Sequence, residues 1–307
     1  CDRLRSADPA GGGRRRLSGG SMKRLSAIGA LLVAVSLLGA ACTVGGPAPT
    51  DWKVKPATIK VVTGEDMDAG DEPYVIQVGF RSKLGVAGST HVQVASQCRS
   101  GALPATDAAP NGTTVAIPAG SADVTFPQAQ NLDIGDVLLG TAPLEIFGTL
   151  TFVMERDGIL DSCAMTDAFE SALVPVMHDA LETLIASSPV PPTQEQLISL
   201  IVDNIGNFLN AVGSFLAAII EGLGNPDDVI GVGVQILLPT AGAFTDLLNT
   251  AFSIGGVFLP GLESGFIPIN GLPSSVKIRV GSLLPSAATF DFDGDAAHYV
   301  YSSTVGA

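Results

Sequence analysis

Alternation of apolar and polar residues with a period of two is the feature that most constrains the fold of this chain. Such alternation predicts β-strands that bury one face and expose the other. Pro, Gly, Asn and Asp separate the alternating segments, as expected for turns. The predicted strands are Thr58–Val62, Tyr74–Arg81, Thr90–Ala95, Thr113–Ile117, Asp123–Phe126, Glu145–Glu155, Val229–Leu238 and Val276–Val280. Phe290–Phe292 and His298–Tyr301 add a closing hairpin around Asp293-Gly294-Asp295.

The spacing of apolar residues changes to three and four in the middle of the chain. Residues 166–187 predict a helix that Pro175 would kink. The sequence Thr193-Gln194-Glu195-Gln196 fits a capping box that opens a second helix, and polar residues interrupt that helix too often for a membrane span. A third, short helix is predicted at about 241–252. The chain is therefore expected to be an α+β protein: one antiparallel β-sandwich domain over residues 51–307, with a helical region inserted at about 164–226.

The N-terminal part has the organisation of an export signal. Met22-Lys23-Arg24 is cationic, residues 25–41 carry no charge, and Leu38-Gly39-Ala40-Ala41-Cys42 closes the segment. The upstream residues 1–21 are expected to be a translated leader outside the native protein. Residues 22–41 are then the signal peptide, and residues 42–50, rich in small residues and proline, are a flexible tether.

This segment resembles bacterial, actinobacterial-like lipoprotein signal peptides with a lipobox. The resemblance implies that the Cys42 thiol is acylated and that cleavage before Cys42 makes it the new N-terminus. The chain would then be lipid-anchored at the outer face of the cytoplasmic membrane or cell envelope. Gly39 departs from the usual leucine, so an ordinary secretory signal and an uncleaved anchor are the alternatives, although seventeen apolar residues are short for a span.

Charge and cysteine content narrow the function classes. Residues 1–41 hold seven of the 16 Lys and Arg and two of the 30 Asp and Glu, so the remaining chain carries nine and 28 and a net charge of −19. Such a surface disfavours nucleic acids and, through overall charge, anionic lipids. With Cys42 acylated, Cys98 and Cys163 remain within residues 43–307 and most simply form one disulfide.

Clustered carboxylates in predicted loops suggest a calcium site as one hypothesis. Hard oxygen ligands on adjacent loops suit Ca²⁺, whereas the plainer interpretation is that these residues form turns. The candidate ligands are Asp66, Asp68, Asp71, Asp227, Asp228, Asp291, Asp293 and Asp295. The segments Gly70–Tyr74 and Asp227–Gly231 weakly resemble C2-type sandwiches and uncharacterised secreted β-sandwich proteins, which favours a sandwich.

No catalytic signature stands out. His91, His178 and His298 lack metal-ligand spacing, and the chain has no G-x-S-x-G, no P-loop and no dinucleotide-binding glycine motif in a strand-to-helix context. The leading hypothesis is a non-enzymatic, membrane-anchored binding or interaction module. The alternatives are a carrier of an apolar ligand such as a lipid, favoured by the apolar residues 229–273, and a secreted hydrolase.

Overall fold

Two β-sheets and a set of helices make up the described part of the protein. The computed structural model describes residues 49–64, 70–105, 109–129, 134–156, 163–191, 193–223, 227–238, 267–268, 275–282, 285–293 and 297–307. The strands are β1 (Thr50–Thr63), β2 (Tyr74–Lys83), β3 (His91–Ser96), β4 (Thr114–Ala116), β5 (Val124–Ala129), β6 (Glu145–Glu155), β7 (Asp228–Leu238), β8 (Ile267–Pro268), β9 (Ser275–Ser282), β10 (Ser286–Asp293) and β11 (His298–Gly306). The predicted strands are thus present, and their ends shift by a few residues: β1 is longer than predicted, β4 is shorter and β6 has the predicted bounds. Of the predicted α+β sandwich, the coarser part is confirmed: the fold is mostly β and contains two sheets.

Sheet A has the order β10-β11-β1-β4, and β5 also pairs with β1. Sheet B has the order β3-β2-β6-β7-β9-β8. The predicted closing hairpin is confirmed, since β10 and β11 pair antiparallel from Ser286 with Val305 to Asp293 with His298. The first strand is longer than predicted: Thr50, assigned to the tether from sequence, already pairs with Ala129.

One strand pair differs from the antiparallel arrangement that the sequence predicted. Strands β7 and β9 run parallel, with Gly231 opposite Ser275 and Leu238 opposite Ser282. Parallel neighbours require a long crossover connection, and residues 239–274 lie between these two strands. The helix predicted at 241–252 falls in that connection, outside the described residues.

The helical region follows β6 in sequence. Its elements are α2 (Ala164–Ala168), a π turn (Phe169–Leu173), α3 (Val174–Leu181), a second π turn (Glu182–Ala186) and α4 (Gln194–Leu223), and the short α1 (Ile134–Leu138) precedes β6. The Val174 N–H donates to the Phe169 carbonyl, five residues back, directly before Pro175. The distortion predicted at this proline is therefore a π turn. Thr193 caps α4, because its Oγ1 accepts from the Gln196 N–H at 3.3 Å.

Sheet B is covered on both faces. One face packs against α2, α3 and α4, where Leu197, Ile201, Ile205, Phe208 and Val212 form the predicted apolar stripe. The other face shares two buried clusters with sheet A. Every residue of β6 is consequently buried. No helix in the described ranges is both long enough and apolar enough to cross a bilayer.

Candidate functional site

A polar cleft of about 630 Å³ opens where four strands end. The end of β5 and the start of β1 bound it on sheet A, and the end of β2 and the start of β6 bound it on sheet B. Its lining residues are Asp51, Arg81, Lys83, Pro127, Gln128, Ala142, Pro143 and Glu145. Strand pairing places Lys83 directly opposite Glu145 and Arg81 opposite Phe147, which brings side chains from distant parts of the sequence together.

Arg81 is the best-anchored side chain of the cleft. Its Nε donates to Oε1 of Glu145 at 2.7 Å, its Nη2 lies 2.7 Å from the same oxygen, and its Nη1 donates to the Pro127 carbonyl at 2.7 Å. The guanidinium carbon lies 5.2 Å from the centre of the Phe147 ring. The two charged side chains are only 16% and 10% exposed. Removal of one partner from such a buried pair leaves an uncompensated charge. The pair joins β2 to β6 within sheet B, and the hydrogen bond to the Pro127 carbonyl joins Arg81 to β5 of sheet A.

Gln128 has a backbone conformation that is uncommon for a residue with a side chain. Its φ is +52°, and among the described residues it is the one non-glycine residue with a positive φ. The Gln128 N–H donates to Oδ1 of Asp51 at 2.9 Å, and the β1–β5 ladder is irregular between Thr50 and Trp52, beside this contact. Strained conformations and strand bulges concentrate at functional sites. The contact between Gln128 and Asp51 is therefore the feature of the cleft that most strongly suggests a functional site.

The lining charges of the cleft balance. Two carboxylates and two cations line the cleft, although the whole chain has a formal net charge of −14. Arg81 and Glu145 neutralise each other, whereas Lys83 forms no ion pair with a carboxylate in the described ranges. The cleft therefore presents one cationic and one anionic group, Lys83 and Asp51, that are not paired with each other.

Two of the carboxylates that the sequence suggested as calcium ligands accept hydrogen bonds from tyrosine hydroxyls. Asp71 is buried and accepts a hydrogen bond from the Tyr299 hydroxyl. Asp227 accepts from the Tyr74 hydroxyl at 2.6 Å. Burial and, secondarily, the Asp227 charge raise the pKa of Tyr74 far above its usual value. These two carboxylates therefore orient buried phenols.

Three of the remaining acidic candidates are described, and their surroundings differ. Asp291 contacts the His298 ring through Nε2 at 2.6 Å, and Asp293 lies 3.9 Å from Nδ1 of the same ring. Asp228 is half-buried at the start of β7, opposite Glu155. Asp66, Asp68 and Asp295 lie outside the described residues. Within the described ranges, no three His, Cys, Asp or Glu side chains are arranged to hold a metal ion.

The other predicted sites have mixed outcomes. Cys98 and Cys163 form the predicted disulfide, with their Cα atoms 5.6 Å apart. Cys42 lies outside the described residues, so its acylation stays a prediction. A serine hydrolase needs a histidine hydrogen-bonded to a hydroxyl group. In the described ranges, neither His91 nor His178 contacts a serine or threonine hydroxyl, and the side chains that contact His298 are carboxylates.

Sequence reasoning missed Arg81, Gln128 and Glu145. Arg81 stood within a predicted strand without any neighbouring motif, and the conformation of Gln128 has no sequence signature beyond the preceding proline. No protein-family model matches the chain, and no curated protein or solved structure is significantly similar to it.

Proposed function

We propose that this protein is a non-enzymatic binding module of the cell envelope, held at a membrane by a lipid on Cys42. Its architecture on this proposal is a β-sandwich with an inserted helical region. The polar cleft that contains Arg81 is its ligand site, and the positive φ of Gln128 is the observation that carries this assignment. A chain keeps such a conformation at a cost of about 1–3 kcal/mol, and function is the common reason for keeping it.

The ligand class follows from the lining of the cleft. Lys83 and Asp51 supply one cation and one anion, and the side-chain amide of Gln128 supplies a further hydrogen-bonding group. A short peptide segment that bears both an acidic and a basic side chain complements this set. An apolar ligand is less well supported, because phenylalanine rings fill the layer between sheet B and the helices. The rings of Phe152 and Phe169 lie 4.4 Å apart there.

Substitution of Gln128 by glycine tests the ligand site without disturbing the fold. Glycine adopts a positive φ at no steric cost, so Gln128→Gly should keep or raise the melting temperature while weakening ligand binding. The probe is the tripeptide Lys-Ala-Glu, added to ¹⁵N-labelled protein and followed by amide chemical shifts. We expect shifts at Arg81, Lys83 and Gln128 in the wild type and smaller ones in the variant.

The matched control is Gln93→Gly, on β3 outside the cleft, where the Gln93 side chain donates to the Thr125 carbonyl. It should lower stability and leave the amide shifts of the cleft unchanged. Absence of cleft shifts in the wild type, or equal binding by Gln128→Gly, would contradict the assignment. The anchor is tested separately by mass spectrometry of the native N-terminus, where an unmodified Cys42 or a free Thr43 would remove it.

A further inference from the structure

Five strands form the edges of the two sheets in the described part of the chain. They are β10, β4 and β5 in sheet A and β3 and β8 in sheet B. An edge strand presents unpaired backbone N–H and C=O groups, to which a strand of another chain can be added. Proteins block such addition with very short edges, charged side chains, proline or covering groups. An edge that lacks these protections therefore indicates where another strand can bind.

Four of the five edges are protected. Strand β4 has three residues and β8 has two, and β10 carries the exposed charges of Asp291 and Asp293. On β5, Pro127 lacks an N–H group, and its carbonyl accepts from Nη1 of Arg81 at 2.7 Å. The Gln93 side chain, which comes from β3, donates to a second carbonyl of β5 at 2.8 Å. These four strands are therefore poor templates for a further strand.

Strand β3 has none of these protections. Its six residues, His91–Ser96, include no proline and no Lys, Arg, Asp or Glu, and its pairing with β2 contains no bulge. Within the described ranges, the backbone of residues 91–95 forms no hydrogen bond besides the ladder to β2. The outer backbone groups of β3 are therefore free to pair with another strand.

The accessible surface of β3 lies along this edge. On one face of the strand, Val92 and Val94 pack against the core that sheet B shares with the helices. On the other face, Ala95 packs against an apolar cluster of sheet A, and the Gln93 side chain contacts β5. The strand is nevertheless only half-buried over most of its length, and His91 is exposed. Because both faces are covered, the remaining exposure belongs to the edge.

We propose that β3 pairs antiparallel with β3 of a second copy of this chain, so that sheet B continues across a two-fold axis. Two identical antiparallel strands are self-complementary about such an axis. Ser96 lies outside this ladder, because its carbonyl already accepts from the Ser100 N–H and hydroxyl. Full overlap of residues 91–95 then places Gln93 on the axis and Val92 opposite the partner's Val94.

A second copy suits this edge in charge and in shape. The whole chain has a formal net charge of −14, whereas β3 carries no formal charge, so two copies meet here without like charges directly opposite each other. The two Val92–Val94 pairs are β-branched cross-strand pairs, which stabilise antiparallel strands. They also extend the core beneath the helices from one copy to the other.

Two substitutions of Gln93 test the pairing by sedimentation equilibrium at micromolar concentration. The sample is the chain from residue 43 onward, which contains the whole compact unit Gly46–Ala307. Gln93→Lys and Gln93→Met both lose the hydrogen bond to β5, but only lysine places two like charges opposite each other on the axis. We expect twice the chain mass for the wild type and Gln93→Met, and the single chain mass for Gln93→Lys. Salt at about 1 M, where the screening length is about 3 Å, should restore part of the Gln93→Lys dimer.

A cysteine on the axis tests the register. Cα atoms of opposite residues in an antiparallel pair lie about 4.5–5.5 Å apart, a distance that a disulfide can span. Cys98 and Cys163 already pair with each other, so Gln93→Cys should form a disulfide-linked dimer under mild oxidation. The control Thr304→Cys, exposed on β11, should not. A monomeric wild type, a dimeric Gln93→Lys at low salt or equal cross-linking of the two cysteine variants would overturn the proposal. A wild type that stays monomeric and adds only a foreign peptide strand at β3 would overturn it as well.

Discussion

Replacement of Gly231 by alanine should destabilise the protein at the contact between its two sheets. A methyl group on Gly231 would stand 2.7 Å from Cδ2 of Phe292 and closer still to Cγ and Cδ1. Phe292 is fully buried, and its ring stacks beside Phe290 with centroids 6.1 Å apart. Because the base of the ring must move rather than a flexible tip, we place the overpacking penalty at about 3 kcal/mol. Alanine recovers about 0.5–1 kcal/mol of strand entropy, so the net loss is about 2 kcal/mol.

Gly233 supplies a matched control on the same face of β7. A methyl group there would lie 3.3 Å from the Phe290 ring, a tight contact that a small shift relieves. Gly233→Ala should therefore change the free energy of unfolding by less than about 1 kcal/mol. Urea unfolding followed by Trp52 fluorescence measures both variants. With m of about 2–3 kcal/mol/M, Gly231→Ala should lower the midpoint by close to 1 M without changing m.

A double variant tests the stated cause. Phe292→Ala alone should cost about 3–5 kcal/mol, since it empties a buried site. In that background the Gly231→Ala penalty should vanish, because the clashing ring is gone. An equal effect of Gly231→Ala and Gly233→Ala, or a penalty that persists without the Phe292 ring, would refute the reasoning.

Three further outcomes are expected. Replacement of Cys98 and Cys163 by serine should lower the free energy of unfolding by about 4 kcal/mol in denaturant melts, because the disulfide closes a loop with a sequence separation of 65. Burial raises the pKa of Tyr74 and Tyr301 well above 10.0, so alkaline titration should show their tyrosinate absorbance only as the protein unfolds, and stability should fall as the pH rises past 10.0. A backbone hydrogen bond from Gly88 lowers the pKa of Glu182 below 4.5, so the wild type should melt above Glu182→Gln at pH 7, and this advantage should shrink as the pH falls below 4.5.

The strands were predictable because one-sided burial imposes a period of two on the sequence. The β10–β11 hairpin is the clearest case, since Phe290, Phe292, Tyr299 and Tyr301 all alternate into the core. Burial on both faces weakened the pattern in β6, where Thr149 and Thr151 are buried as completely as the apolar residues beside them. The parallel pairing of β7 and β9 left no local signal, because direction depends on the path of the connection between them.

The cleft could not be predicted for a different reason. Asp51, Arg81, Gln128 and Glu145 belong to four strands or strand ends, and only the pairing of those strands brings them together. The acidic clusters had the opposite property. They were conspicuous in sequence, yet Asp71 and Asp227 each accept a hydrogen bond from a tyrosine hydroxyl, a role that the acidic pattern alone does not predict.

The pairing of the first strand with the last one sets the order in which this protein can complete its fold. Thr58 of β1 and Ser302 of β11 share a hydrogen bond across 244 residues. During synthesis from the N-terminus, β1 stays unpaired on this side until β11 has been made. Closure of so long a loop is slow. A chain with this topology therefore completes sheet A late, only after its described last strand, β11, becomes available to β1.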